Sequence, residues 1–144
     1  MNREAIYSAL FALGQSVTWA GGGSFSYTSR RAKLFSEIPS WPAFCQAEHD
    51  ETSITRTGLP DITTLGAVWL IYHNAGKDPG AVPATTSNAI LDALDNLFPS
   101  EDDGSHQTLG GLVHRVAING RVIKEHGDLD GQGLLILPLR IMVA

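Results

Sequence analysis

The feature that most constrains the fold is an almost unbroken apolar run at residues 134–143. Successive side chains of a strand point to opposite faces, and both sets here are apolar apart from one arginine. One face would carry Leu135, Leu137, Leu139, Ile141 and Val143, and the other Leu134, Ile136, Pro138, Arg140 and Met142. Both faces of this strand therefore need cover. Pro138 has no N–H to donate, which places the strand at a sheet edge or at a bulge, and an apolar edge strand invites a partner.

Two turn signals precede this strand. Asn119-Gly120 lies between apolar runs and suits a type I′ turn, whose two central residues need positive φ, so it predicts a β-hairpin. A polar break follows at residues 127–131. Asp128 and Asp130 there resemble the start of a calcium loop, but no glutamate follows at the required position, so the segment predicts a turn.

Two helices are predicted from apolar stripes and caps. Asn2 caps the first helix and Gly14 ends it, and Thr86 or Ser87 caps the second, which Pro99 closes. The first stripe comprises Ile6, Leu10, Leu13 and Val17, widened by Tyr7 and Phe11. The second stripe comprises Ile90, Leu91, Leu94, Leu97 and Phe98, with Asp92, Asp95 and Asn96 facing water.

Two further strands are predicted upstream of the second helix. Residues 43–51 alternate in polarity, which is typical of a half-solvated strand, whereas residues 64–74 are apolar on both faces and predict a central strand. The polar residues 54–63 would connect them. Residues 19–28, with three glycines, and residues 75–85, with two glycines and two prolines, predict loops. The pattern indicates an α+β fold: a mainly antiparallel sheet flanked by two helices, in a single domain over residues 1–144.

Composition excludes several classes of function. A chain of 144 residues with 43% hydrophobic and 17% charged residues is typical of one globular domain. Its net charge of −5 argues against a grip on nucleic-acid phosphates. One cysteine excludes an internal disulfide and suits a reducing cytoplasm. No run reaches the roughly 18 apolar residues of a membrane span, and the N-terminus has helical spacing rather than the pattern of a signal peptide.

No motif indicates catalysis, a metal or a cofactor. The five histidines lack ligand spacing, and no serine lies in Gly-x-Ser-x-Gly. Cys45 and His49 share a strand face, but at about 3.3 Å per residue they lie some 13 Å apart, beyond hydrogen-bond reach. We expect neither catalytic nor metal-binding residues.

The order of the motifs along the chain resembles the tail terminator, or tail completion, proteins of long-tailed bacteriophages. The motifs are Ser29-Arg30-Arg31 with Lys33 and Leu34-Phe35; Pro42-Ala43-Phe44; Trp69-Leu70-Ile71-Tyr72; Asn88-Ala89-Ile90-Leu91-Asp92-Ala93-Leu94; Gln107-Thr108-Leu109-Gly110-Gly111-Leu112-Val113; Glu125-His126-Gly127-Asp128-Leu129-Asp130-Gly131-Gln132; and the closing apolar strand. The similarity spans nearly the whole chain, and it departs from the family pattern in a glycine-rich insert at residues 21–23.

The resemblance implies a structural virion protein, assembled in the host cytoplasm, that is neither an enzyme nor a cofactor carrier. It implies a ring of identical subunits, a hexamer, that ends the tail tube at its head-proximal end. Its partners would be the other subunits, the tail tube protein and the head-tail connector or stopper, and it would have no membrane partner.

The loops at residues 19–31 and 75–85 would reach neighbouring subunits or the tube. The candidate interface residues are Arg30, Arg31, Lys77, Asp78, Asp128 and Asp130. The acidic residues Asp92, Asp95, Glu101, Asp102 and Asp103 would line a channel through which genomic DNA passes without specific binding.

Two alternatives stay open from the sequence. The first is another neck protein, such as a head-tail stopper or adaptor, or a tube subunit. The second is a small-molecule enzyme or ligand-binding domain, which would need a pocket with convergent polar groups.

Overall fold

The computed structural model describes residues 1–99 and 105–143. It contains two helices, a small hairpin and a six-stranded sheet, which confirms the predicted α+β class. The elements in chain order are α1 (Arg3–Gln15), β1 (Thr18–Trp19), β2 (Gly23–Ser24), β3 (Tyr27–Ser29), a 3₁₀ turn (Phe35–Glu37), β4 (Ala43–Arg56), β5 (Leu59–Asn74), α2 (Ala84–Asp95), β6 (Arg115–Ile118), β7 (Ile123–Glu125) and β8 (Gln132–Met142).

The sheet is built around β5 and β8. Its strand order is β3-β4-β5-β8-β6, and β7 also pairs with β8. Every pairing is antiparallel except that of β3 with β4. The predicted central strand is confirmed, since β5 lies between β4 and β8 and is buried from Leu65 to Ala67 and again at Trp69 and from Ile71 to His73.

Helix α1 forms as its cap and stripe predict. The Asn2 side chain accepts a hydrogen bond from the Ala5 N–H at 3.0 Å, and this satisfies one of the unpaired donors of the first turn. The helix ends at Gln15, one residue beyond the predicted stop. Gly14 serves close packing instead, because a Cβ at this position would lie 2.4 Å from Phe44 Cζ.

Helix α2 begins earlier than predicted. Its N-cap residue is Pro83, so Thr86 and Ser87 lie inside the helix, and neither caps it. Ser87 is buried and its hydroxyl lies 2.8 Å from His73 Nε2 on β5, an interaction that joins the helix to the sheet. The predicted stripe is confirmed as far as Leu94: Ile90, Leu91 and Leu94 are buried, and Asp92 and Asp95 are exposed. The helix ends at Asp95 instead of reaching Pro99, so Leu97 and Phe98 lie beyond it, half-buried against the core.

Both helices pack on one face of the sheet. The core there joins residues of the helices to alternate residues of the long strands: Ile6, Tyr7, Leu10, Ile90, Leu94, Phe44, Leu65, Trp69, Ile71, Leu135, Leu137 and Ile141. On the opposite face, a smaller cluster of Ile38, Ala43, Cys45 and Tyr72 lies under the segment that contains the 3₁₀ turn.

The predicted hairpin at Asn119-Gly120 is wrong. Strands β6 and β7 do not pair with each other, because both pair antiparallel with β8 and follow one another along its edge. Gly120 has φ +112°, but Asn119 does not share the positive φ that a type I′ turn needs. The two residues form a break in one edge.

Strand β8 is an inner strand, so its prediction as an edge is wrong, and its register with β5 continues past Pro138 without a bulge. It pairs with β5 on one side and with β6 and β7 on the other. Pro138 lies opposite the break between β6 and β7, and its carbonyl accepts a hydrogen bond from the Asn119 N–H at 3.0 Å. Pro138 thus has no N–H to donate at the one part of β8 where neither β6 nor β7 pairs with it.

Two other expectations are corrected by β4 and by the glycine-rich segment. Strand β4 is buried on both faces at residues 43–46 and mostly exposed from residue 48 onward, rather than half-solvated throughout. Residues 54–63 are not a connection but the end of the β4–β5 hairpin. Residues 19–28, predicted as a loop, contain the β1–β2 hairpin and the start of β3, and Trp19 and Phe25 pack against the core.

Candidate interface surfaces

One face of the sheet is apolar and carries no helix. Val68 lies opposite both Ala47 and Pro138, and Ile136 lies opposite Ile123, so these side chains form adjoining rows. Ala47, Val68, Ile136 and Pro138 are half-buried, while Ile123 and Met142 are exposed. We call these six residues the open face. An antiparallel sheet usually turns polar residues to water on its free side. Here the row on β8 contains one charged side chain, Arg140, opposite Gly66, and its neighbours Ile136, Pro138 and Met142 are apolar.

The β4–β5 hairpin projects beyond the rest of the sheet. The last β5 residue in register with β8 is Thr64, opposite Met142, and residues 52–63 extend past this point as two strands. One hydrogen bond, from the Val143 N–H to the Thr63 carbonyl at 2.9 Å, still ties their base to the chain after β8. We call residues 52–63 the arm. Arg56 clamps its tip by donating two hydrogen bonds to the Pro60 carbonyl, at 3.0 and 2.7 Å. The exposed fraction is 54% for Ile54 and 59% for Leu59.

The apolar pair of the arm lies on the same side as the open face. Ile54 pairs with Ile62, and alternation along β5 puts Ile62, Thr64 and Val68 on one side. A groove of about 430 Å³ lies where the arm meets the sheet, with Ile54, Thr64 and Pro138 among its lining residues.

A glycine shapes this groove. The register of β4 shifts between Glu48 and Glu51, and this bulge folds Asp50 over Gly66 on β5. A Cβ at position 66 would lie 2.0 Å from the Asp50 carboxylate oxygen and 3.2 Å from the Asp50 backbone nitrogen, so glycine allows this close approach of the two strands.

Four of the six predicted interface residues lie together at the opposite end of β5. Lys77, Asp78, Asp128 and Asp130 line a cleft of about 600 Å³ between residues 75–83 and 127–132, which we call the loop cleft. The Ala75 N–H donates to the Gly131 carbonyl at 2.8 Å, which ties the two loops. The turn predicted at residues 127–131 is confirmed.

The other two predicted residues lie elsewhere. Arg30 contacts Glu4 and Ser8 of α1, the latter at 3.2 Å, and lies 3.8 Å from Glu48 of β4. Hydrogen bonds from Arg30 and then from Ser8 hold the pKa of Glu4 below its usual value. Arg30 therefore joins the chain after β3 to α1, whereas Arg31 is exposed.

The acidic channel residues are only partly described. Asp92 and Asp95 are exposed on α2, as predicted, and Glu101, Asp102 and Asp103 lie outside the described residues. Their place in a channel stays a prediction.

The buried polar groups fit structural roles. His73 and Ser87 form a hydrogen-bonded pair, but Ser87 is fully buried, which closes its hydroxyl to substrate. Burial, and then His126, lowers the pKa of His73. Burial raises the pKa of Cys45 to about 11, which makes this thiol a poor nucleophile.

Within residues 1–99 and 105–143, no three histidine, cysteine, aspartate or glutamate side chains are grouped to hold a metal ion. The helices in this part of the chain are also too short and too polar to span a membrane.

The open face and the arm were missed by sequence reasoning. Their signal is the run Thr52 to Thr63, in which β-branched residues flank Thr57-Gly58 on both sides, a pattern typical of a hairpin.

No family model matches the chain, and a search of curated proteins finds no significant match.

Proposed function

We propose that this protein is a tail terminator: a subunit of a ring, a hexamer, that closes the head-proximal end of a phage tail tube and offers a docking surface to the head connector. The observation that carries the proposal is the open face, together with the apolar pair Ile54 and Ile62 on the same side of the arm. The kind of assembly, a phage tail, is inferred from the resemblance of the ordered sequence motifs to those of tail terminator proteins.

Physical chemistry supports a structural role over a catalytic one. Exposed apolar surface of this kind marks protein contacts, and a contact between two different patches of identical subunits closes into a ring or extends into a filament. The net charge of −5 disfavours binding to DNA phosphates. A channel that lets the genome pass requires such weak binding.

The loop cleft is the proposed contact with the tube or the connector. It lies at the end of β5 remote from the arm, so one subunit has distinct surfaces at its two ends. Leu129, which projects fully into solvent between Asp128 and Asp130, supplies an apolar centre with a charged rim.

The direct test is negative-stain microscopy of cognate tail tubes mixed with the purified protein, together with its native mass. We expect a ring at one end of each tube and an end to tube growth. Binding to heads but not to tubes would contradict the terminator and favour a stopper or adaptor, and unlimited self-polymerisation would favour a tube subunit. Binding to neither would reopen the enzyme alternative.

A charge-reversal variant tests the loop cleft separately from the open face. Asp128→Lys and Asp130→Lys together reverse the charge beside Leu129 without touching the open face. We expect rings that no longer bind tubes or no longer bind connectors. Unchanged binding to both would refute the role of the cleft.

A further inference from the structure

The arm has no core of its own. Residues 52–55 and 57–61 are exposed, and apart from the hydrogen bond of Val143 to Thr63 the two strands pair only with each other among the described residues. A two-stranded hairpin alone is marginally stable in water. Its alternating Thr, Ser and Ile side chains suit a strand that packs against another surface.

The arm cannot cover the open face of its own subunit. The arm continues β4 and β5, and Ile54, Ile62 and Val68 lie on the same side of these strands. A groove lined by Ile54 and Pro138 separates the arm from the open face, so the arm does not pack on that face within its own subunit. Contact between them requires a second copy.

The dimensions of the arm match this surface. The five residues from Leu59 to Thr63 extend about 16 Å at roughly 3.3 Å per residue. The open face between β5 and β7 spans two strand spacings, or about 10 Å. One arm is therefore long enough to cross the open face of a neighbour.

Charge favours a second copy over other occupants. The arm contains one base, Arg56, and one acid, Asp61, so it is neutral in a chain of net charge −5. Copies of an acidic chain repel one another least through neutral surfaces. A neutral arm also offers nothing to the phosphates of nucleic acid or of anionic lipid.

We propose that the arm of one subunit packs through Ile54 and Ile62 onto the open face of the next, around Val68, Ile136 and Pro138. This inference rests on the proposed ring, whose subunit contact it identifies. The contact joins two different patches, so its repetition around an axis produces the ring.

Cross-linking tests the contact directly. In a Cys45→Ala background, the protein that carries both Ile54→Cys and Ile136→Cys is treated with a short bismaleimide. We expect a ladder of covalent oligomers, whereas Ser53→Cys with Ile136→Cys, on the other side of the arm, gives a yield about tenfold lower. Equal yields from both pairs, or no ladder from either, would overturn the contact.

The length of the ladder tests the ring separately. A ladder that ends at six supports both proposals. A ladder that ends at two supports the contact, with each of two copies packing its arm on the open face of the other, and it overturns the ring.

Charge substitutions give a second measurement. Ile54→Asp, on the arm, and Ile123→Asp, on the open face, should each weaken self-association at least about tenfold, because a carboxylate would be buried without a partner. Ser53→Asp is the control, since it adds the same charge to the opposite side of the arm. The melting temperatures of the monomers should agree, since Ile54 and Ile123 are exposed.

Mixing the variants distinguishes this inference from the proposed function. Ile54→Asp and Ile123→Asp each keep one working patch, so their mixture should form dimers in sedimentation and nothing larger. A wild type that caps tubes while Ile54→Asp caps them equally well overturns the contact and leaves the function standing. Failure of the wild type to cap tubes, with the cross-link present, overturns the function alone.

Discussion

Replacing Gly14 with alanine should destabilise the protein although alanine is the better helix former. In a helix interior the change from glycine to alanine stabilises by up to about 1 kcal/mol. The added Cβ, however, would lie 2.4 Å from Phe44 Cζ, where carbon contacts normally lie at about 3.5–4.0 Å. The ring of Phe44 is held by three others, with centroid distances of 5.5 Å to Phe11, 5.4 Å to Phe25 and 5.1 Å to Trp69.

This packing decides the sign of the effect. Overpacking a dense core costs about 1–3 kcal/mol, so the net loss in free energy of unfolding should be about 1–2 kcal/mol. Urea denaturation followed by circular dichroism measures it. Ala12→Gly, at an exposed position of the same helix, is the control that gives the local helix propensity.

A double-mutant cycle identifies the cause. Phe44→Leu removes the ring atoms that the new Cβ meets, so Gly14→Ala should cost at least about 1 kcal/mol less in that background. If Gly14→Ala stabilises the wild type, or if the two substitutions are additive, the close approach of helix and ring has been misjudged.

Three further predictions concern buried polar groups. Gln46→Ala should cost about 1–3 kcal/mol, because the buried Trp69 indole N–H, now 3.0 Å from the Gln46 amide oxygen, loses its acceptor; an unchanged urea midpoint in tryptophan fluorescence would contradict it. Because the pKa of His73 is lowered in the folded state, the unfolded chain takes up a proton first, and stability should fall as the pH drops through about 6.5. His73→Gln should flatten that part of the pH profile of the unfolding free energy, and an identical slope in both proteins would refute the assignment. Cys45, with a pKa of about 11, should react with a thiol reagent at pH 8 roughly 100-fold more slowly in the folded than in the unfolded chain from thiolate content alone, and fast labelling of the folded chain would show that the thiol is accessible.

Local signals predicted elements well where the cause is local. The Asn2 cap, the stripe of α2 and the turn at residues 127–131 all depend on neighbours within a few residues, and the structure confirms each. Boundaries were less accurate. Ser87 resembles a helix cap, but its hydroxyl binds His73, a partner fourteen residues away that no local pattern reveals.

The candidate surface was predicted in part. Lys77, Asp78, Asp128 and Asp130 belong to two loops that strands β5 and β8 bring together, and loop composition was enough to suggest them. The partners of Arg30 within the chain, Glu4 and Glu48, come from two other elements, so no local pattern reveals them, and its place in an interface stays a prediction. The open face was missed because the polarity pattern of one strand shows only which of its own side chains share a side. A sheet face also depends on which strands pair, and the pattern does not show that.

By itself, the sequence determined the periodicity of the elements, the Asn2 cap and the apolar character of both sides of β5 and β8, since these depend on residue types and their spacing along the chain. Only the tertiary structure decided which strands pair. Asn119-Gly120 has the residues of a hairpin turn, yet β8 pairs with the strands on both sides of it and converts the turn into a break. Strand pairing is chosen by the competition of distant segments for the same backbone hydrogen bonds. Among the described residues, that competition also left the open face and most of the arm without a strand or helix to cover them.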